Sequence, residues 1–302
     1  MPAVARRIAL MLCCFAVVLT GSLVSLSAAN ASTVNPNLKL MGSVSCKNHP
    51  VVQLWVSSNK QGSKFVSFGN GLTASSSNHY HAVFSTTIAV SAKPASIALH
   101  VGCGGTANNW WSDNWTATSV SVTASLTFLD ATCNEGTTKS TTGTKTNKTG
   151  CSFESVGAAI ANAAKSQIGV SHYCFGGGTI TGPSRGNCAV GVVGFDCTGL
   201  VIYALYQATG INLTAYHDKT QASHALAQTG AVYESPGTAL KPGDLVYFGR
   251  DFGDVDHAAI SLGGDAIVDA NINIGDGKGT GVRQRSLSFE EHGLHFVGAV
   301  RY

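Results

Sequence analysis

The stretch that decides the fold of the C-terminal half is Gly194–Leu200, which reads GFDCTGL and continues into VIYALY at Val201–Tyr206. Asp196 is a good helix N-cap, because its carboxylate can accept hydrogen bonds from backbone N–H groups of the first turn. The apolar residues that follow recur at helical spacing. The stretch therefore predicts a helix from Cys197 to about Thr209, with the cysteine in its first turn.

The N-terminus has the composition of an export signal, predicted over residues 1–31. Arg6 and Arg7 give a basic start to an apolar run. That run extends over Ile8–Leu26, and Ala29–Ala31 fits a small-residue cleavage site. The alternative is a retained membrane anchor, but the run barely has the length to span a bilayer and contains polar residues. Cleavage would give a secreted, extracellular protein without a membrane partner.

Length and charge limit the classes of function. A chain of 302 residues has room for about two domains. Apolar residues make up 44% of the chain and charged residues 12%, so a sizeable core is expected and disorder is not. Loss of the signal would remove two arginines and lower the formal charge from +3 to +1. A nearly neutral protein is not expected to bind nucleic acid.

The cysteines predict disulfides and one spare thiol. Two of the nine lie in the predicted signal, and seven remain: Cys46, Cys103, Cys133, Cys151, Cys174, Cys188 and Cys197. Cysteines of exported proteins tend to pair, and an odd number leaves one over. Cys46 could pair with Cys103 or with Cys133, and Cys133 and Cys151 flank a polar segment that they could close as a loop. The sequence leaves the connectivity open.

Residues 32–133 are predicted to form an all-β, sandwich-like domain. Short runs of period two, separated by Gly, Ser and Asn, occur at Val51–Val56, Lys64–Phe68, His81–Phe84, Ser96–Val101 and Ser119–Phe128. Strands at this spacing favour an antiparallel β-sandwich. Three of the four tryptophans lie in Asn109–Trp115. Exposed rings there could stack on sugars and give wall or glycan binding, and the alternative is that they pack in the core.

Residues 134–150 are predicted to be a linker, and residues 151–302 an α+β domain. The linker is polar, rich in Thr, Lys and Gly, and has no periodicity. Helical spacing follows at Val156–Ile168, and strand signals dominate from Asp244 to the C-terminus. Helices first and strands later are typical of an α+β architecture.

Cys197, His257 and Asp269 are the candidate catalytic residues. The first turn of a helix carries a partial positive charge, which favours a thiolate at Cys197, although a lone cysteine is more commonly a small buried residue. A thiolate nucleophile needs a base, and His257 opens the alternating stretch HAAISL. A hairpin turning about Gly263 would set Asp269 directly across from His257 on the same face. The three groups would act as nucleophile, base and orienting group in covalent acyl transfer.

Four ordered motifs resemble those of the NlpC family, which are papain-like cysteine peptidases of bacterial cell walls. The motifs are Tyr173–Gly177, Phe195–Leu200, Leu240–Phe248 and His257–Gly263. The resemblance covers about residues 156–302. It implies a catalytic domain in which helices pack on an antiparallel sheet.

The resemblance also implies an activity. It indicates an endopeptidase that cuts peptidoglycan stem peptides, typically between D-glutamate and the diamino acid. Cys197 would attack the carbonyl carbon, its backbone N–H would help to hold the oxyanion, and His257 would move the proton. Asp269 stands where the family usually has a histidine as the third polar residue.

Further residues are assigned to the substrate site by the same resemblance. Tyr173 corresponds to a tyrosine that lines the site, and Asp196 and Thr198 flank the nucleophile as candidate substrate-binding residues. Thr198 replaces the family's serine and adds a methyl group there. The segment from Gly178 to Gly194 is longer than usual in the family and carries Cys188, which could form a disulfide with Cys174 across the cleft rim.

No cofactor and no metal site are expected. Asp254, Asp256 and His257 are close in sequence, but three such ligands rarely converge without distant partners. Two alternatives to the peptidase remain open: a non-catalytic cell-wall or glycan-binding protein, and an amidase or acyltransferase that uses the same nucleophile. In each case the expected partner is peptidoglycan or a cell-wall peptide.

Overall fold

The computed structural model describes residues 36–74, 79–116, 119–122, 126–134, 148–272, 280–290 and 294–302. Residues Asn35–Tyr302 form one compact unit. The predicted signal peptide and most of the predicted linker lie outside the described residues. Within the described ranges, no helix is both long enough and apolar enough to cross a membrane. The division into domains stays a prediction.

Ten strands of the described N-terminal part belong to one sheet. They are β1 (Asn37–Cys46), β2 (Val51–Ser58), β3 (Ser63–Phe68), β4 (Gly71–Ala74), β5 (His81–Ala89), β6 (Ala95–Thr106), β7 (Asn109–Thr116), β8 (Val120–Val122), β9 (Leu126–Cys133) and β10 (Lys148–Glu154). Their order is β2-β3-β4-β5-β1-β9-β10-β7-β6-β8, and β2 also pairs with β6. The sheet therefore curves round on itself and encloses an apolar core.

The predicted all-β region is confirmed, but its strands do not all pair antiparallel. β1 pairs in parallel with β9, β10 with β7, and β3 with β4. The predicted strand Ser119–Phe128 contributes to two strands, β8 and β9, and residues 123–125 between them lie outside the described part. Period-two patterning reports the strand conformation alone, so it cannot show which distant strand becomes the neighbour.

Two disulfides link strands of this sheet. Cys46–Cys103 joins β1 to β6, and Cys133–Cys151 joins β9 to β10. The Cys133–Cys151 disulfide closes the predicted linker as a loop, which is one of the cysteine pairings that the sequence allows. Both bridges are buried in the core of the sheet, where they tie strands that are distant in sequence.

The tryptophan-rich stretch forms strand β7. Trp110 Nε1 donates a hydrogen bond to the Ala107 carbonyl at 3.0 Å. Its ring lies against Gly102, where an added Cβ would be 2.5 Å from ring atoms. Trp110 therefore covers the sheet backbone. The side chains of Trp111 and Trp115 are outside the described residues, so the glycan-binding hypothesis stays a prediction.

The C-terminal part combines helices with a second sheet. The helices are α1 (Val156–Lys165), α2 (Cys197–Thr209), α3 (Gln221–Leu226) and α4 (Leu287–Glu290). The strands are β11 (His172–Tyr173), β12 (Gly194–Phe195), β13 (Val232–Glu234), β14 (Pro242–Asp251), β15 (Asp254–Gly263), β16 (Ala266–Asn271), β17 (Gly281–Ser286) and β18 (His295–Arg301). Six of them form an antiparallel sheet in the order β13-β18-β14-β15-β16-β17. The predicted α+β architecture is confirmed.

Helix α2 lies at the centre of the compact unit, and ten of its 13 residues are buried. It contacts α1 and β15 of the C-terminal part, and also β1 and β5 of the first sheet. Gly210 follows the helix with a φ of +73°, the left-handed conformation that commonly ends helices. The predicted limits Cys197–Thr209 are confirmed, and a helix apolar on nearly all sides is explained by packing on both sides.

His81 on β5 links the first sheet to α2. Its Nε2 lies 2.8 Å from the Gln207 carbonyl oxygen, and its Nδ1 lies 2.6 Å from Ser45 Oγ. A carbonyl can only accept, so Nε2 donates and Nδ1 of the neutral ring accepts from the serine hydroxyl. Burial, the largest effect, lowers the pKa of His81 and keeps the ring in this neutral form.

Asp130 on β9 is a buried carboxyl group close to this link, and 2% of its surface is exposed. Ser43 donates to its Oδ1 from both the backbone N–H, at 2.9 Å, and the hydroxyl, at 2.6 Å. Burial raises the pKa of Asp130 to about 8; the hydrogen bonds from Ser43 oppose this shift and the charge of Glu154 adds to it. The carboxyl group therefore holds a proton at neutral pH.

Because the pKa of Asp130 is raised, the free energy of unfolding is expected to fall as pH rises. Between its ordinary pKa near 3.8 and about 8, the folded protein keeps a proton that the unfolded chain has released. Over that window the free energy of unfolding should decrease by up to roughly 1.4 kcal/mol per pH unit. Urea unfolding from pH 4 to pH 9 should show this slope for wild type relative to Asp130→Asn. An exposed-site control, Asp251→Asn, should keep the wild-type slope; equal slopes in all three proteins would contradict the assignment.

Candidate active site

Cys197 is the one cysteine of the described residues outside a disulfide. It is the first residue of α2, where the N-terminal N–H groups have no partner within the helix and carry the positive end of the helix dipole. Its side chain is half-buried. The prediction that this thiol is the spare one is confirmed.

His257 and Asp269 lie on neighbouring strands, β15 and β16, but their register differs from the predicted one. Asp269 pairs with Ala259, not with His257. The two-residue loop is Gly264-Asp265, and the ladder shifts between Ser261 and Gly263. The hairpin turn is centred one residue later than predicted. The residue opposite Asp269 is therefore Ala259, two positions after the predicted His257. His257 and Asp269 are therefore diagonal neighbours on one face, still within reach of each other's side chains.

The two side chains are buried and hydrogen-bonded. His257 Nε2 lies 3.0 Å from Asp269 Oδ2, and because the carboxylate accepts, Nε2 donates. The sulfur of Cys197 is close enough to His257 to interact with its ring electrostatically. Burial alone lowers the pKa of His257, but the hydrogen bond to Asp269 and the interactions with Cys197 and with the negative charge of Asp269 outweigh it and raise the pKa well above the ordinary value. The site favours an imidazolium beside the sulfur.

Asp269 is held by two further side chains that the sequence did not suggest. Arg285 Nη1 on β17 donates to Asp269 Oδ1, and Asn271 Nδ2 lies 3.3 Å from Oδ2. The side chains of Arg285 and Asp269 are both fully buried. The guanidinium offsets the cost of burying the carboxylate and aims it at His257. A thiol, an imidazole and a carboxylate thus meet in one place, and covalent acyl transfer uses groups of these three kinds.

A family model matches this part of the chain. Residues 169–291 fit the model of the NlpC/P60 family, and they include Cys197, His257, Asp269 and Arg285. The matched residues lie entirely within the C-terminal part of the chain.

Named relatives are similar to part of this chain. Peptidoglycan endopeptidase RipA of Mycolicibacterium smegmatis is 36% identical over 106 residues, which are 35% of this chain and 19% of RipA. Gamma-DL-glutamyl hydrolase of Bacillus subtilis is 35% identical over 114 residues, which are 37% of this chain and 22% of that protein. The solved structure of the peptidoglycan hydrolase RipB from Mycobacterium tuberculosis is 26% identical, with a TM-score of 0.37 over 48% of this chain and 64% of that chain. The chain spans about a fifth of the two curated relatives.

Asp196 is the N-cap of helix α2, which begins with Cys197. Its Oδ1 accepts from the Gly199 N–H at 2.7 Å and from the Thr198 hydroxyl at 3.1 Å. His217 Nε2 also lies 2.7 Å from Oδ1, and the Gly176 N–H donates to Oδ2 at 2.8 Å. Burial raises the pKa of Asp196, but these hydrogen bonds and the charge of His217 outweigh it and lower the pKa.

The contacts of Asp196 bear on the predicted substrate-binding residues. Asp196 and Thr198 are 6% and 8% exposed, and each uses its side chain within this cap. His217 was missed by sequence reasoning, because a histidine 21 residues from the aspartate in a loop gives no local signal. Substrate contacts of Asp196 and Thr198 stay predictions.

Replacing Asp196 with alanine is expected to destabilise the domain by about 2 kcal/mol or more, since a typical N-cap contributes about 1 kcal/mol and this one has further partners. Ser155→Ala is a matched comparison, because Ser155 caps α1 with one hydrogen bond, to the Ala158 N–H. That change should cost about 1 kcal/mol. Urea unfolding of both variants provides the measurement; a smaller loss for Asp196→Ala than for Ser155→Ala would contradict this account of the cap.

Tyr173 lies next to the nucleophile. It ends β11, which pairs in parallel with β12, the strand that leads into Asp196. Burial and then the negative charges of Cys197 and Asp196 raise the pKa of Tyr173 to about 12, so its hydroxyl stays protonated. The next residue, Cys174, is bridged to Cys188, and the predicted disulfide in this segment is confirmed.

The Asp254–His257 segment is used for other contacts. Asp254 pairs with Lys219 at 2.7 Å and with Arg250 at 3.3 Å, and Asp256 is exposed. Among the described residues, no group of three or more His, Cys, Asp or Glu side chains is placed to hold a metal ion. The segment therefore places His257 in the candidate active site, and the Arg250–Asp254 pair links β14 to β15.

Proposed function

We propose that this chain is a secreted cysteine peptidase that hydrolyses peptidoglycan stem peptides between D-glutamate and the diamino acid. One observation carries the proposal: a spare thiol at the start of a buried helix lies close enough to His257 to affect the charge of its ring, and His257 Nε2 is hydrogen-bonded to Asp269. Cys197 is the nucleophile, His257 the general acid and base, and Asp269 the orienting group.

In the first step the Cys197 thiolate attacks the carbonyl carbon of the substrate and forms a C–S bond. The negative charge moves to the carbonyl oxygen, which the backbone N–H of Cys197 stabilises at the positive end of α2. As the C–N bond breaks, the imidazolium of His257 gives its proton to the leaving amine. The products of this step are a thioester on Cys197 and a free amino group on the diamino acid.

In the second step water hydrolyses the thioester. Neutral His257 takes a proton from the water, whose oxygen attacks the thioester carbonyl carbon. The C–S bond breaks, the acid product leaves, and the thiolate and imidazolium pair is restored. Asp269 keeps Nε2 protonated throughout, so Nδ1 is the nitrogen that exchanges the proton.

The substrate class is supported by the named relatives and by the location of the site. One relative is named as a peptidoglycan endopeptidase and another as a gamma-DL-glutamyl hydrolase. Tyr173, Asp196 and Thr198 surround the nucleophile and are proposed to contact the peptide. Three disulfides fit an oxidising compartment outside the cell, which supports secretion.

The test is incubation of the mature protein with purified peptidoglycan and mass analysis of the soluble fragments. Fragments that end in D-glutamate, together with fragments that begin with the diamino acid, are expected from wild type. Heat-inactivated protein is the control. Intact stem peptides freed from glycan would indicate an amidase instead, and the absence of fragments together with sedimentation on the wall would indicate a binding protein.

A further inference from the structure

A cavity of about 440 Å³ lies between the first sheet and helices α1 and α2. Its volume is in the range of small-molecule pockets. The α2 side chains that line it are Tyr203 and Gln207. Gln207 is ten residues beyond Cys197 along the helix, which corresponds to about 15 Å. The cavity is therefore separate from the candidate active site.

The charge of the cavity is negative. Asp130 and Glu154 both line it, and the charge of Glu154 acts on Asp130, so the two carboxyl groups are near each other. His81 also lines it as a neutral ring, because burial lowers its pKa. Among the described residues that line the cavity there is no lysine or arginine. A cation is the ligand charge that this surface complements.

One buried carboxyl oxygen of the cavity has no partner. Ser43 donates twice to Asp130 Oδ1, while Asp130 Oδ2 has no hydrogen-bond partner among the described residues, although only 2% of the surface of Asp130 is exposed. An unmet polar atom at such a depth is costly, and native proteins satisfy nearly all of them. Once the carboxyl group has lost its proton, a donor supplied by a ligand would remove that cost.

The cavity is open to a small molecule from one side. Thr132, Asn162 and Ser166 line it and are exposed to solvent. Thr132 Oγ1 and Asn162 Nδ2 donate to Glu154 at 2.9 and 3.3 Å, which holds this carboxylate at the mouth. A ligand entering here meets Glu154 first and Asp130 at depth.

We propose that this cavity binds a small molecule with a primary ammonium group, held by the carboxyl groups of Asp130 and Glu154. The ammonium group has three donors, enough for Asp130 Oδ2 and a Glu154 oxygen. The inference does not depend on the peptidase activity, since Cys197 takes no part in it.

Binding should release a proton. A cation beside Asp130 favours its ionised form, and the group starts protonated because its pKa is raised to about 8. The other groups that face it are Glu154 on β10, His81 on β5 and Tyr203 on α2, all of which line the same cavity. If Asp130 is the group that loses the proton, affinity should rise about tenfold from pH 6 to pH 7.

The experiment is calorimetric titration of the full chain with 1,5-diaminopentane, with pentane-1,5-diol as the uncharged probe. We expect one diamine per chain, release of nearly one proton at pH 6.5 in buffers of different ionisation enthalpy, and binding of the diol at least tenfold weaker. Glu154→Gln should weaken diamine binding about tenfold or more. Asp130→Asn should weaken it similarly and abolish proton release, while the exposed-site control Asp251→Asn should change neither.

Equal binding of the diamine and the diol would overturn the proposal. Unchanged diamine affinity in Glu154→Gln would do the same. Glu154 is half-buried and outside the core, so that variant is expected to fold even if Asp130→Asn does not. Absence of any diamine binding by folded wild type at millimolar concentration would also refute it, whatever the outcome of the peptidoglycan assay.

Discussion

Cys197→Ala is expected to abolish release of peptide fragments from peptidoglycan, with a rate at least about 10³-fold below wild type. In the proposed mechanism the sulfur of Cys197 bonds to the substrate, and no other cysteine of the described residues is outside a disulfide. The variant loses only the sulfur of a half-buried side chain, so its unfolding curve should remain close to that of wild type. Mass analysis of fragments over time gives the rate.

Labelling with iodoacetamide under non-reducing conditions is the matched control. The label should be found on Cys197 in wild type and should be absent from the alanine variant, while the bridges Cys46–Cys103, Cys133–Cys151 and Cys174–Cys188 stay intact. Fragment release that persists in Cys197→Ala, or a label mainly on another cysteine, would refute this nucleophile.

Arg285→Met is expected to lower the free energy of unfolding by about 3–5 kcal/mol, because it leaves the Asp269 carboxylate buried without its cation. Asp269→Asn/Arg285→Met should recover most of that loss, since neither charge is then buried. Activity should stay at least about 10²-fold low in the double variant, because the amide no longer stabilises the imidazolium of His257. Urea unfolding and the fragment assay measure the two effects separately.

Arg250→Met is the control for loss of an arginine. Arg250 is 82% exposed and pairs with Asp254 at the surface, so its loss should change stability by less than about 1 kcal/mol. If Arg285→Met were as mild as this control, the buried pair would not be holding the site. Recovery of activity along with stability in the double variant would rule out the orienting role of Asp269.

The sequence predicted the parts of the site that have local signals. Asp196 before an apolar run indicates a helix start, and the odd cysteine count pointed to Cys197. His257 and Asp269 were found because two alternating runs flank a glycine turn. Even there, the register was wrong by two positions, since loop length and a shift near the turn decide it and neither is visible in the residue pattern.

Residues that act across long distances in the chain were not predicted. Arg285 lies 16 residues after Asp269 on another strand, and its side chain is buried, a rare location for arginine. His217 joins Asp196 from a loop. The parallel pairing of β1 with β9 joins strands about 87 positions apart. Such partners follow from the folded chain as a whole, and short-range periodicity contains no information on them.

The hydrogen bond from His81 to the Gln207 carbonyl has a consequence for dissection of the protein. It ties the first sheet to the same helix that begins with Cys197, and β1 and β5 cover that helix along its later turns. The two halves should therefore melt in one cooperative transition. A fragment starting at Val156 would lack β1 and β5, so the faces of α2 that they bury would be exposed to water. The packing that holds Cys197 in position at the start of this helix would then be weaker.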